Sequence, residues 1–291
     1  MEFVLGILAA VFFALGTVIQ QKVAQEIPDE DAEKAGLLLQ LAQRPLWLLG
    51  IVVDGLGFLC QAAALHFGQL AVVQPLLATA VVFALPFGFL ILGRKITHTN
   101  ILGALAVTGG LIFFLVMANP TDGVDSASTS AWLISGGIGG VVCLILVTAA
   151  RGRRPSPKAA LLGTAAGILF GFSAGLTMTV VDSLGDGIVG LVTDWHVYAL
   201  VLVGWVGMTF SQQSLQTGAL APAASTQMSL DPIVSVLLGV LIFQEQIHDT
   251  FLEGTVAVLG LAVMVAGLVV LARSGPLETP PATDPVPEPP A

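Results

Sequence analysis

The sequence predicts an all-α polytopic membrane protein, with nine transmembrane helices laid out as an inverted 4+1+4 repeat. Three observations carry that prediction. The first is a series of nine apolar segments, at about residues 3–21, 45–67, 70–93, 100–118, 130–150, 159–181, 196–217, 220–243 and 254–272. Each stays apolar for about 20 residues, enough to cross a hydrocarbon core of about 30 Å as a helix. The second is the placement of all ten Lys and Arg residues. Lys22, Lys34 and Arg44 fall in the first loop, Arg94 and Lys95 in the third, Arg151, Arg153, Arg154 and Lys158 in the fifth, and Arg273 after the last span. The even loops carry none, so the odd loops and the tail are expected in the cytoplasm and Met1 outside. The third is an internal repeat. Val53, Gly57, Leu65, Gly68, Leu70 and Ala71 recur 150 residues later as Val203, Gly207, Leu215, Gly218, Leu220 and Ala221. Ile96, Thr99, Gly103, Ala106, Val107 and Gly109 recur 151 residues later as Ile247, Thr250, Gly254, Ala257, Val258 and Gly260.

Taken in order, span 1 lacks a basic n-region and reads as an uncleaved helix whose flanking Lys22 stays inside. Its Leu5, Gly6, Ala9 and Phe13 match Leu162, Gly163, Ala166 and Phe170 of span 6. Five crossings separate the two copies, an odd number, so the second enters from the opposite face. Residues 28–44 open with Pro28-Asp29-Glu30-Asp31 and continue into Leu37, Leu38, Leu39 and Leu41, an amphipathic helix at the inner surface. Spans 1–4 complete a first unit over residues 1–118. Span 5 and its basic loop form a connector over 119–158. Spans 6–9 form the inverted unit over 159–272. Residues 273–291 are rich in Pro and acid and predict a disordered tail.

Composition bounds the function. The 291 residues are 55% hydrophobic and 10% charged, with a mean hydropathy of +0.93. No basic patch exists for nucleic acid, despite a net charge of −9. The expected partners are the lipid bilayer, a transported solute and a second copy of the chain. The Ala-, Val- and Gly-rich, Lys-poor composition suits a bacterial plasma membrane. The outer loops hold Glu2, Asp122, Asp125, Asp182, Asp186, Asp194, Glu245, Asp249 and Glu253 with no basic residue beside them, a field that concentrates cations or simply a set of solvated loop charges. Cys60 and Cys143 lie within spans as small apolar fillers. Gly171-Phe172-Ser173-Ala174-Gly175 fits the Gly-x-Ser-x-Gly hydrolase pattern, but it lies inside an apolar helix whose glycines recur every four residues, so no enzyme and no cofactor are expected.

Chemistry is concentrated in two acids. Asp54 and Asp231 fall near the middle of spans 2 and 8, where a charge costs about 2.5–3.5 kcal/mol and turns toward a cavity or a partner. Either can bind a cation or carry a proton. Gln61 follows Asp54 by two turns, Gln227 precedes Asp231 by one, Gln212 and Gln216 share a face of span 7, and Gln74 and Thr79 lie on span 3. Together these line a polar route, or else serve as interhelical packing glue. Asp231-Pro232 has the form of a helix cap, which would break span 8, and Pro75 and Pro86 interrupt the matching span 3.

Arg44-Pro45-Leu46-Trp47, Gly57, and the run from Ala62 through His66, Gly68 and Gln74 to Pro75-Leu76 resemble the drug/metabolite transporter (DMT) superfamily, most closely its NIPA-type magnesium transporter branch. Ser211-Gln212-Gln213-Ser214 through Leu220 resembles the corresponding second-half stretch. The resemblance covers residues 1–272 and implies a transporter with alternating access. It implies Mg²⁺ entry as one activity, with Asp54 and Asp231 as metal ligands. Proton-coupled export of a small metabolite or drug is the alternative, and a membrane scaffold acting through its tail is the reading from another class. One departure stands out. The superfamily places a Glu after spans 3 and 8; Glu245 fills the second place, but Arg94 and Lys95 occupy the first.

Overall fold

A computed structural model describes residues 1–25, 43–120, 123, 124, 127–183, 187–217, 219–246 and 251–273. Those residues form eleven helices: α1 (Glu2–Gln25), α2 (Pro45–Phe67), α3 (Leu70–Ala78), α4 (Ala80–Leu92), α5 (His98–Ala118), α6 (Thr129–Ala150), α7 (Pro155–Ser183), α8 (Gly187–Thr193), α9 (Trp195–Leu215), α10 (Leu220–Leu241) and α11 (Phe251–Arg273). The expected amphipathic segment at 28–44 and the tail at 273–291 lie, but for their edges, outside the described residues, as do Lys34, Asp122, Asp125, Asp186 and Asp249.

Local chemistry sets the helix ends. Pro45 begins α2, where a missing N–H costs nothing. Thr97 and Asn100 close a reciprocal capping box at the start of α5. Ser128 caps α6 and Asp194 caps α9 through the His196 N–H. Gly93, with φ of 68°, ends α4 in the left-handed conformation that glycine takes without strain.

Among the described residues, eight helical segments are long and apolar enough to cross a membrane, with α3 and α4 counted together as Leu70–Leu92. The helix α9 is 21 residues long but falls outside that set. Its His196, Gln212 and Gln213 dilute the apolar run. Burial divides the spans sharply. In the most apolar stretch of each, 61% of α7 is buried against 11% of α6, so α7 is central and α6 faces outward along most of its length.

Small residues bring the helices together. α1 packs on α2 and on the α3–α4 pair; α7 packs on α9 and α10; α5 packs along α11, and α3 along α10. A Cβ at Gly110 would meet the Gly260 carbonyl at 2.7 Å, and one at Gly267 would meet the Gly103 carbonyl at 2.8 Å, so α5 and α11 touch backbone to backbone. Along α7, Gly163, Gly167 and Gly171 receive Ala223, Gln227 and Val234 of α10 in turn.

One expectation is overturned. The Asp231-Pro232 pair does not start a half-helix, because α10 runs unbroken from Leu220 to Leu241 with Pro232 inside it. Only the first-half span is divided, at Thr79. There the Thr79 N–H reaches back to Leu76, three residues away, at 3.0 Å, and the Thr79 hydroxyl donates to the same carbonyl at 2.5 Å. That tight turn replaces the α-helical bond to the Pro75 carbonyl.

Candidate transport seam

Two polar regions lie inside the bundle. The first is the contact of α3 with α10. Ala71 shares a packed cluster with Val236, and Val73 another with Leu238, which sets the two helices side by side. The face of α10 turned to α7 carries Ala223, Gln227, Leu230 and Val234. Ser225, Ser229 and Pro232 fall on the opposite face by their 100° helical increments, and Asp231 and Ser235 stand between the two. These serines are deeply placed, from 6% exposed at Ser225 to 0% at Ser235. Ser225 and Ser229 spend their hydroxyl protons on the carbonyls of Pro222 and Ser225, at 3.3 and 2.6 Å. The Ser235 hydroxyl donates to Asp231 Oδ1 at 3.4 Å.

Gln74 differs from these. It is 3% exposed on α3, and its Nε2 has no hydrogen-bond acceptor. A buried, unsatisfied amide donor is costly and rare.

The second region is the contact of α1 with α2. Gly50, Asp54, Gly57, Gln61, Ala64 and Gly68 form one stripe of α2, and its glycines meet Gln20, Phe13 and Glu2 of α1. The Gln20 amide donates to Asp54 Oδ2, while Asp54 Oδ1 is buried with no donor. Gly16 leaves the room this carboxylate occupies, since a Cβ there would collide with it. Gln61 is half-buried on the same stripe, two turns further along.

The remaining sequence-selected residues are scattered. Gln227 Oε1 accepts a hydrogen bond from the Ser211 hydroxyl at 2.8 Å, tying α10 to α9. Gln212 and Gln216 are exposed on α9, and Gln212 has only the Met208 sulfur, at 3.9 Å, as an acceptor. They do not extend a buried polar route. Among the described residues no three His, Cys, Asp or Glu side chains are grouped so as to hold a metal ion.

Sequence reasoning passed over three participants. Gln20 lay near the end of span 1 and looked like a boundary residue. The serines of α10 were legible as a 225–229–235 spacing, but hydroxyls on apolar helices are common. Glu245 was read as an outer-loop acid and as the superfamily's Glu after span 8, with no partner inside the bundle, yet it is 3% exposed. Its Oε1 and Oε2 accept the Leu70 and Ala71 backbone N–H groups at 2.6 and 2.9 Å, capping α3 from across the bundle. Burial pushes the Glu245 carboxyl up to about 7, against the downward pull of the Ala71 and Leu70 N–H groups. Beside it lies a cavity of about 230 Å³ lined by His66, Gln69, Gly123, Asp182 and their neighbours. His66 Nδ1 lies 3.3 Å from Asp182 Oδ1. The Glu2 side chain packs on Gly68 nearby, so the start of α1, the end of α7 and the loops after α2, α5 and α10 meet at one end of the bundle.

Comparison with known proteins fits this picture. Residues 34–116 match the model of the EamA-like transporter family. That stretch spans α2 to nearly the end of α5. The chain is also 28% identical over 267 residues to an uncharacterized protein of Corynebacterium glutamicum, across 91% of this chain and 92% of that one. No solved structure matches it. Neither match carries the name of a substrate.

Proposed function

We propose that this chain is a nine-crossing transporter of a small solute, working by alternating access between two inverted halves, with the α3–α10 seam as its route. The amino terminus faces outward and the carboxyl terminus the cytoplasm of a bacterial plasma membrane. The observation that carries the reading is the unpaired amide of Gln74, buried on α3, the helix that packs along α10 with its buried serines and Asp231. A buried donor of this kind is stabilised by whatever accepts its hydrogen bond, and a polar solute in the seam would do so. The similarity of residues 34–116 to EamA-like transporters supports the same class.

Of the two substrate classes, a polar organic solute exchanged for protons is the better supported. Its acceptor groups suit the Gln74 amide, and Asp231 and Asp54 are carboxyls that can carry the proton. Mg²⁺ needs several oxygen ligands in near-octahedral order, and no such cluster supports it among the described residues. The metal reading keeps one argument, the acids Glu2, Asp182 and Glu245 collected at one end.

Purified protein in liposomes tests both. A pH-sensitive dye and a Mg²⁺-sensitive dye are enclosed in separate preparations and challenged with solute panels and with Mg²⁺. Solute-driven proton movement without Mg²⁺ entry is expected. Asp54→Asn is expected to insert normally and to lose most of that flux. Undiminished flux in this variant would remove Asp54 from the mechanism, and silence in every preparation would favour a non-transporting scaffold.

A further inference from the structure

Among the described residues, the tie made by Glu245 has no counterpart in the other half of the chain. The 150-residue offset that carries Leu70-Ala71 onto Leu220-Ala221 also carries Arg94-Lys95 onto Gln244-Glu245. In one half a carboxylate therefore follows the span; in the other, two cations do. A carboxylate accepts the free N–H groups at a helix start, and a guanidinium or ammonium cannot. The two helix starts differ accordingly. Glu245 binds both leading N–H groups of α3. The N-cap of α10 is Ala219, with no side-chain bond.

The surroundings of Glu245 hold it in that reach. Gln244 takes a left-handed backbone, with φ of 54°, and the Glu245 N–H bonds the Gly239 carbonyl at 3.0 Å. This folds the turn back onto α10. The absent side chain of Gly239 leaves the space the carboxylate fills. The Val124 N–H bonds the Phe243 carbonyl at 2.7 Å, drawing the loop after α5 to the same point. Gln69, the N-cap residue of α3, has extended backbone and supplies no cap of its own, so the helix depends on a residue 175 positions away in the chain.

We propose that Glu245 is a latch that holds the Glu2 end of the bundle shut across the α3–α10 seam, and that the opposite end has none. Building on the transporter reading, the resting protein is then closed on the outer side, and each transport cycle breaks this contact.

The test uses a matched pair of reporters in the full chain, purified in detergent, with Cys60 and Cys143 replaced by Ala. Val73→Cys reports the latched end, and Ala223→Cys, its partner at the same offset, reports the other. Both sites are closed in the present structure, at 0% and 1% exposure. Glu245→Ala is expected to speed maleimide labelling at position 73 by about tenfold or more, the loss that two buried hydrogen bonds imply, and to leave position 223 unchanged. Gln69→Asp is then added to give α3 a local cap. If Glu245 is a latch, the double variant still labels quickly at 73. Equal slow labelling with the parent would show that Glu245 only caps a helix, and equal acceleration at both positions would show general loosening; either result overturns the proposal. The double variant also keeps the test alive should Glu245→Ala alone misfold. Labelling needs no substrate, so a failure of the latch and a failure of the transport reading are read separately.

Discussion

Thr79 and Ser229 occupy the same place in the two halves, 150 residues apart, and behave differently. The Thr79 hydroxyl donates to the carbonyl three residues back, and its helix divides there into α3 and α4. The Ser229 hydroxyl donates to the carbonyl four residues back, at 2.6 Å, and α10 continues. Proline alone does not account for the contrast. Both spans contain it, but Pro75 lies four residues before Thr79, so the carbonyl that Thr79 would normally bond sits on a proline. Pro232 follows Ser229 by three, and the missing N–H falls on the next turn. The helix divides where a hydroxyl and a backbone N–H converge on one carbonyl, and a proline elsewhere in the span is absorbed. Two spans matched by the 150-residue offset thus differ in form, a divided α3–α4 against a continuous α10.

The largest expected effect comes from filling the continuous side of the seam. Ser235 is fully buried, and Ser235→Leu forces extra methylenes into packed space, at a cost of about 1–3 kcal/mol. Solute flux in liposomes should vanish while the protein still inserts. Gln74→Leu, on the divided side, removes a donor without adding comparable bulk. It should leave thermal stability unchanged or raised and still reduce flux. Retained flux in both variants would move the route away from this seam.

Next in size is a pH effect at the end where both helices meet Glu245. Released into water, a Glu carboxyl titrates near 4.5; held against α3 it titrates at about 7 because burial disfavours its charge. The closed arrangement therefore binds the proton more tightly. Acid holds it shut, and raising the pH through 7 ionises the buried carboxyl and favours release. Maleimide labelling of Val73→Cys, corrected for reagent chemistry with an exposed control cysteine, should accelerate across that interval. His66, Asp182 and Glu2 are ionisable groups at the same end, so the decisive control is Glu245→Gln, which cannot ionise and should lose the pH dependence, though its one amide oxygen accepts only one of the two N–H groups. A dependence that survives this substitution belongs to one of those neighbours.

Much of this was legible in the sequence, for identifiable reasons. Long apolar runs are whole-segment properties, insensitive to any single contact, and they marked out the spans. The exception, α9, shows the limit, since His196 and two glutamines place it below the apolarity of its neighbours. Asp54, read from the sequence as a mid-span charge needing a partner, has one in Gln20. The partner itself was not legible, because it depends on which residue of α1 lies across from Gly50 and Gly16. Gln212 and Gln216 share a helix face, as their spacing requires, but spacing does not say whether that face turns inward. The Asp231-Pro232 cap misled for a related reason. A proline is equally at home at the first turn of a new helix and inside an old one that is held by its neighbours, and α7 presses three glycines against α10 along this stretch.

The smallest effects test the break itself. Thr79→Ala removes the hydroxyl that shares the Leu76 carbonyl, a contact worth about 0.6 kcal/mol by the average for polar contacts within membranes. The backbone bond to Leu76 then competes alone with straightening, but Pro75 still crowds the turn, so α3 and α4 should become more nearly collinear without fusing. Spin labels on the exposed residues Phe67, at the end of α2 beside the start of α3, and Leu90 of α4 would register this as a longer, broader distance distribution. Pro232→Ala is the matching change in α10. It restores an N–H to a helix that is already continuous, so labels at Leu237 and Met208 should report no shift, and flux should change by less than the spread between preparations. If Pro232→Ala instead alters flux as strongly as Thr79→Ala, flexibility resides in α10 and the contrast between the two halves is reversed.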